Sequence, residues 1–332
     1  MAGWTALHAH LHQTLRSRGS GSAPGLLPPD AAVLIALSGG QDSQCLLQLL
    51  VDLRAKWGWQ LHGVHCHHRW RPDGDANAEF VVQWAARQGV PCQVQLADSP
   101  PPSEAAARLW RYHVFATVAR AQGCTHVVTG HTASDRAETL LYNLIRGSGT
   151  DGLQALTWQR PLHDTAPDML LVRPLLTITR AQTAEFCQTF DLPVWLDTTN
   201  EDRTYARNRL RLDVLPPLRS QFNPQVDTTL AQTAEILTAE VAFLEAEATA
   251  LAQRCVVAGR IQRRSLGQAP LALQRRVIRQ VLRQQLAFSP QFDHVEKVVA
   301  LLAAPHRSQS DPFPGGAIAI VNHDWVELHP SP

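Results

Sequence analysis

The sequence predicts an α/β chain in which a doubly wound parallel-sheet domain is followed by a smaller, mainly helical domain with a C-terminal β-hairpin. Three observations carry this. Apolar runs of strand length alternate with stretches of helix length from about residue 31 onward, the order that builds a parallel sheet covered on both faces. One run, Val33–Leu37, passes through a glycine turn straight into a helix start near Asp42. From about Thr204 the alternation gives way to long helical patterns rich in arginine.

Trp4 to Leu15 has the spacing of an amphipathic helix, and a Gly/Ser/Pro-rich linker, Gly19 to Pro29, follows it. Residues 1–30 are therefore an N-terminal helix and linker. Val33–Leu37 suits a strand buried on both faces. Gly39 and Gly40 let the backbone turn sharply and let a ligand approach it. Cys45, Leu46, Leu47, Leu49 and Leu50 then give the next helix a packing face. Unpaired N–H groups and the dipole at that helix start make an anion site. The loop lacks the lysine of a Walker loop and is not G-x-G-x-x-G. The plainer reading is a strand-turn-helix capped by serine and aspartate.

Gln60–Cys66 reads as a second strand, Asp75–Gln88 as a helix, Cys92–Leu96 as a third strand, Ser103–Ala121 as a helix and His126–Thr129 as a fourth strand. Another helix begins near Ser134. Ser38 and His131 both lie just beyond strand ends, where such sheets bind ligands.

His62, His65, His67, His68 and Cys66 invite a metal reading, but strand alternation separates His65 and His67 from the others and no carboxylate joins them at ligand spacing. A polar cleft lining fits better. Glu104, Arg108, Arg111 and Tyr112 share a helical face, which is either a solvated, salt-bridged surface or a phosphate-binding one. Asp135 and Glu138 are three apart, so both carboxylates leave a helix on one side. They could complement the helix dipole, but beside His131 they suit a cationic substrate, binding an ammonium group and helping to deprotonate an amine. Arg146 to Gly152 reads as a flexible, phosphate-friendly loop.

Thr204 to Phe222 reads as one arginine-rich helix ending at Asn223-Pro224, which sets the domains at 31–222 and 223–332. Val226–Ala258, Leu271–Leu286 and Phe292–Leu302 look helical, and Ala317–Leu328 alternates as a hairpin. Between Arg254 and Arg283 there are eight arginines and no Asp or Glu. A solvated face is the usual outcome for such a run, but cations without counter-ions favour an RNA backbone.

Composition narrows the classes. The 332 residues suffice for two cores, and the chain is 45% hydrophobic and 18% charged with a net charge of +1. No apolar run is long enough to span a membrane, no signal-peptide core opens the chain, and the 6 cysteines include no C-x-x-C, so a cytoplasmic location is expected. Lys56 and Lys297 are the only lysines, and neither sits in a motif, which argues against a covalent lysyl-AMP.

Ser38–Ser43, Val64–Arg71, Glu104–Arg108 with Arg111-Tyr112, Gly130-His131 with Asp135 and Glu138, Arg146–Gly149 with Gly152-Leu153, Arg173–Leu176, Trp195–Asn200 and Arg207–Arg211 occur in one order. That ordered set resembles the tRNA(Ile)-lysidine synthetase family of the PP-loop ATP pyrophosphatase superfamily over about residues 31 to 220. The resemblance implies a PP-loop ATPase domain, with ATP on Ser38, Gly39, Gly40, Gln41, Asp42 and Ser43, and Mg²⁺ held by Asp42. It implies adenylylation of the wobble cytidine of a tRNA(Ile) with a CAU anticodon, then attack by L-lysine to give lysidine, AMP and pyrophosphate. Asp135 and Glu138 would orient the lysine, and His131 and Arg111 would steady the α-phosphate. Arg207, Arg209, Arg211, Arg263, Arg264, Arg275, Arg276 and Arg279 would grip the RNA. Ser134 and His67-His68-Arg69 depart from the family's usual residues, which puts a question on the amine site that the retained Asp135 and Glu138 answer. A tRNA thiolation enzyme of the same superfamily and a non-catalytic RNA-binding protein are the alternatives, disfavoured by the missing C-x-x-C and by the intact loop respectively. Oligomeric state, a homodimer included, is left open.

Overall fold

The structure is a computed structural model that describes residues 3–18, 25–163, 166–196 and 202–329. These fall into two compact units, residues 1–237 and 238–332.

The first unit runs α1 (Ala6–Ser17), β1 (Ala32–Ala36), α2 (Gln41–Trp57), β2 (Gln60–His67), α3 (Gly74–Arg87), β3 (Cys92–Leu96), α4 (Glu104–Ala121), β4 (His126–Val128), α5 (Ala133–Ile145), α6 (Thr150–Leu153), β5 (Gln159–His163), β6 (Ala166–Val172) and α7 (Arg180–Thr189). Its sheet has the order β3-β2-β1-β4-β6-β5. β1 pairs in parallel with β2 on one side and β4 on the other, so the chain reverses direction of winding beside the C-terminal end of β1. β1 is apolar throughout because both its faces are covered: Val33 and Ile35 join one core, with α1, α2 and α7, and Leu34 joins the other, with α4.

The sequence pattern marks β1 to β4 and the helices between them but not β5, β6 or α7. β5, with the sequence Gln-Arg-Pro-Leu-His, is an antiparallel edge strand carrying one fully buried residue, Leu162, so it shows little apolar periodicity. β6 is parallel to β4 and its apolar half, Met169 to Val172, runs straight into Arg173-Pro174. The loop expected at Arg146–Gly152 includes the start of the short helix α6.

The single helix expected over 204–222 is a succession of turns: α8 (Ala206–Arg209), a π-helical stretch (Leu210–Val214), α9 (Leu215–Pro217) and a second π-helical stretch (Leu218–Phe222). Pro216 and Pro217 have no N–H to give to the preceding turn, which shifts the hydrogen bonding around them. α10 (Val226–Cys255) follows, and the division between units falls within it.

The second unit continues with β7 (Val256–Val257), β8 (Arg260–Gln262), α11 (Arg263–Gly267), α12 (Leu271–Gln285), α13 (Phe292–Leu301), β9 (Ile318–Asn322) and β10 (Trp325–His329). The expected hairpin is β9–β10, turning through His323-Asp324, and it extends to a four-stranded sheet β7-β8-β10-β9. Val277, Ile278, Val281, Val298, Val321 and Val326 lie in this unit's core. No helix among the described residues is long and apolar enough to cross a membrane.

Candidate active site

The loop Ser38–Ser43 lies at the carboxyl end of β1. Gly39 has φ +84°, and a Cβ there would come within 2.7 Å of Asn77 Oδ1 and 3.0 Å of Val81 Cγ2, so both its torsion and its surroundings require glycine. Gly40 is the N-cap of α2 and supplies no side-chain acceptor, which leaves the first-turn amides facing the loop's concave side. Ser38 Oγ donates to Ser43 Oγ at 3.1 Å, and Ser43 Oγ donates to the Gly40 carbonyl at 2.8 Å, fixing both hydroxyls. Gly130, after β4, packs against this loop: a Cβ there would meet the Asp42 carbonyl oxygen at 2.9 Å. Gln41 Nε2 donates to the Arg180 carbonyl at 2.7 Å and to Thr183 Oγ1 at 2.8 Å, which ties α7 to the loop.

That tie delivers a residue the sequence reading did not single out. Arg180, at the first position of α7, places its guanidinium among three carboxylates: Nε to Asp42 Oδ2 at 3.2 Å, Nη2 to Asp135 Oδ1 at 2.9 Å and Nη1 to Glu138 Oε1 at 3.2 Å. The available signal was local. Thr179 and Gln182 form a capping box, which sets Arg180 at a helix start four residues after Leu176.

Asp135 and Glu138 therefore converge as their spacing predicts, but neither is a bare carboxylate. Asp135 Oδ2 accepts from both the N–H and the hydroxyl of Thr132 at 2.8 Å, capping α5, while Oδ1 takes Arg180. Glu138 is fully buried and is gripped at 2.8 and 2.9 Å by Arg211, with Arg207 3.9 Å away. Arg207 and Arg211, expected to face RNA, thus turn inward to this acid. Arg209 donates to the carbonyls of Arg203 and Thr204 at 2.9 and 3.0 Å. Three acids and three arginines share one cluster.

Its electrostatics are uneven. Burial raises the pKa of Asp42, the nearby Asp135 adds to that, and Arg180 offsets it only in part. Burial would raise Asp135 too, but Arg180 outweighs it and the acid is held well below the ordinary carboxylate range. Asp42 is thus less compensated than Asp135. Magnesium is commonly held by one or two carboxylates together with phosphate oxygens, and Asp42, at the head of the loop with Oδ1 accepting from Thr183 Oγ1, fits such a site.

His131 is half-buried, and desolvation first, then Arg173, push its pKa far down, so it is a neutral imidazole at pH 7. One ring nitrogen, Nδ1, lies 2.8 Å from Thr129 Oγ1. Arg111 is the charged partner of this pair of expected site residues, and its Nε has no protein partner. His65 lies 2.8 Å from the Leu37 carbonyl. Burial pushes His68 down to about 4, and its ring stacks on Trp70 and meets Trp110 edge-on. Among the described residues no three His, Cys, Asp or Glu form a metal cluster.

These histidines make a pH prediction. Below the unfolded value of 6.5, the unfolded chain takes up protons that native His131, His65 and His68 refuse. Their contribution is complete above 6.5 and is lost as pH falls. The Tm should therefore drop by several degrees between about pH 7 and pH 5 at constant ionic strength; a flat profile across that window would refute the neutral histidines.

The second-unit arginines were expected to lack counter-ions, and that premise is corrected. Glu245 pairs with Arg276 and Arg279, Glu296 with Arg275 at 2.7 Å, and Asp324 with Arg264 at 3.1 Å. Arg263 donates to the carbonyls of Leu302 and Ala304. The acids come from α10, α13 and the hairpin turn, outside the stretch the sequence count covered. The Asp197–Asn200 part of the expected motif lies outside the described residues.

A parallel sheet with an uncapped Gly-Ser loop at its switch point defines a PP-loop nucleotide-binding protein, and the family model described as a PP-loop domain matches residues 9–218. A second model, a TilS substrate binding domain, matches residues 262–324. A tRNA(Ile)-lysidine synthase from a Nostoc species is 52% identical, covering 98% of this chain and 97% of its own, and one from a Synechocystis species is 47% identical over 97% of both. A chloroplastic relative of the same name from Zygnema circumcarinatum is 35% identical over 82% of this chain and 75% of its own. The chain belongs to the tRNA(Ile)-lysidine synthase family. Among solved structures, a U34-tRNA thiolase from Methanococcus maripaludis matches with a TM-score of 0.56 at 16% identity, covering 69% of this chain and 76% of that one; this likeness is one of fold.

Proposed function

We infer that this chain is a ligase that joins L-lysine to C2 of the wobble cytidine of a tRNA(Ile) with a CAU anticodon, through an adenylylated cytidine, giving lysidine, AMP and pyrophosphate. The observation that carries the site assignment is the meeting of a pyrophosphate-type loop with a buried three-carboxylate cluster at one sheet switch point.

The chemistry needs both halves. The cytosine C2 oxygen is a poor leaving group until it carries AMP. The amides and hydroxyls of Ser38–Ser43 would receive the departing pyrophosphate. Bound at Asp42, Mg²⁺ would supply positive charge against those phosphates. Arg111 would contribute charge, and neutral His131 a hydrogen bond, at the α-phosphate of the adenylylated base, which leaves its stack to reach them. Asp135 and Glu138 would take the ammonium groups of lysine in place of one guanidinium of the present cluster, orienting the amine that attacks C2 and displaces AMP. Residues 31–222 would do this chemistry while 223–332, with Arg263, Arg264, Arg275, Arg276 and Arg279, would hold the tRNA backbone. Because most of those arginines have acidic partners, RNA would compete with Glu245, Glu296 and Asp324 for them.

Asp135→Asn tests the amine site. With labelled ATP, labelled lysine and a tRNA(Ile) transcript, it should leave pyrophosphate release within about threefold of normal while lowering lysine transfer by roughly a hundredfold. Equal loss of both half-reactions would refute a dedicated amine site.

A further inference from the structure

Next to the site, arginines gather around one tyrosine with no acid paired to them among the described residues. Arg173, just after β6, is only 3% exposed; its Nη1 donates to the Thr157 carbonyl at 2.7 Å and its Nε has no partner. Arg160, on edge strand β5, lies over the Tyr112 ring with Cζ 4.8 Å from the centroid. Its Nη1 donates to the carbonyls of Pro161 and Leu162 at 2.7 and 3.1 Å. Arg108, one turn before Tyr112 on α4, is exposed and acts on both Tyr112 and Arg173. Burial first, then Arg160 and Arg108, push Arg173 down to about 10 against the opposing effect of Tyr112.

Buried charge is normally paired. Each arginine of the acidic cluster has its carboxylate, whereas Arg173 and Arg160 are held by carbonyls and by the ring and hydroxyl of Tyr112, which orient a guanidinium without neutralising it. An oriented, uncompensated group of this kind is completed by an anion, and planar guanidinium forks favour phosphate.

We propose that Arg160, Arg108 and Tyr112, backed by Arg173, form a docking site for a backbone phosphodiester of the RNA strand that carries the target cytidine. This rests on the function proposed above. The loop Ser38–Ser43 ends β1, and β4 and β6 separate β1 from β5. Three strand spacings put Arg160 about 14 Å across the sheet from that loop, beyond a phosphate seated there. The group also grades from buried Arg173 to exposed Arg108, the direction from which a polymer would enter.

Arg160→Gln and, separately, Arg108→Gln test this by tRNA(Ile) transcript binding across a potassium chloride series, with KM for ATP and for lysine and the Tm measured alongside. Each should weaken tRNA binding roughly tenfold and reduce the slope of log affinity against log salt by about 0.7, leaving both KM values and the Tm unchanged. Arg160→Lys should restore most of the affinity. A raised ATP KM with an unchanged tRNA slope would assign the anion to the nucleotide and overturn the proposal. An unchanged slope in both variants, or a lower Tm as the sole effect, would overturn it as well. Should the wild type bind tRNA yet transfer no lysine, the ligase reading fails while a reduced slope still upholds the phosphate site.

Discussion

Asp42→Ala is expected to reduce AMP formation by at least on the order of a hundredfold, the scale of losing one preorganised charge at a departing group. Asp42 stands at the first turn of α2, beside the amides that face the loop, and burial raises its pKa despite a guanidinium at 3.2 Å. An anion in that condition gains most from a cation, and a metal-bound pyrophosphate would bring one. The variant should fold, because Glu138 and Asp135 still engage Arg180. It should also lose the magnesium-dependent part of ATP binding measured by calorimetry. Raising magnesium should recover little activity, since the ligand itself is gone. Normal turnover with an unaltered magnesium dependence would remove Asp42 from any metal role.

What the sequence could disclose follows from what is local. Ser38–Ser43 is legible because strand, turn and helix start are contiguous, and Gly39 is required by its own torsion and by the neighbouring Asn77. The pairing of Asp135 with Glu138 is legible because three residues on a helix fix a shared face. Their partners are not. Arg180 comes from 42 residues beyond Glu138 and Arg211 from 73 beyond it, distances at which no periodicity speaks. The same limit produced the error over the second-unit arginines: a count confined to Arg254–Arg283 omits Glu245 and Glu296, which α10 and α13 bring against α12. β5 was hidden for another reason, since an edge strand with a proline need not alternate, and β6 because only its second half, Met169 to Val172, is apolar.

Arg180→Met should be the most destabilising single change near the site and should reveal what the cluster binds. Removing one partner of a buried ionic group leaves the other charges uncompensated, at about 3 kcal/mol or more. Here Asp42 loses its guanidinium and Asp135 keeps only Arg211 at 3.8 Å, while Glu138 keeps Arg211 at 2.8 Å. For a unit of this size that corresponds to a Tm lower by roughly 6–12 °C. Arg180→Lys should recover only part, because one ammonium cannot reach three carboxylates as the planar fork does. The functional content lies in the ligand dependence. If lysine takes the place of the guanidinium between Asp135 and Glu138, added L-lysine should raise the Tm of Arg180→Met more than that of the wild type, where it must first displace Arg180. Combining Arg180→Met with Asp135→Asn should reduce both the destabilisation and the lysine effect, as expected for residues in direct contact. An unchanged Tm would show that the three contacts contribute no net stability. A lower Tm that L-lysine does not raise would leave Arg180 as a structural counter-ion alone and would move the amine elsewhere in the cleft.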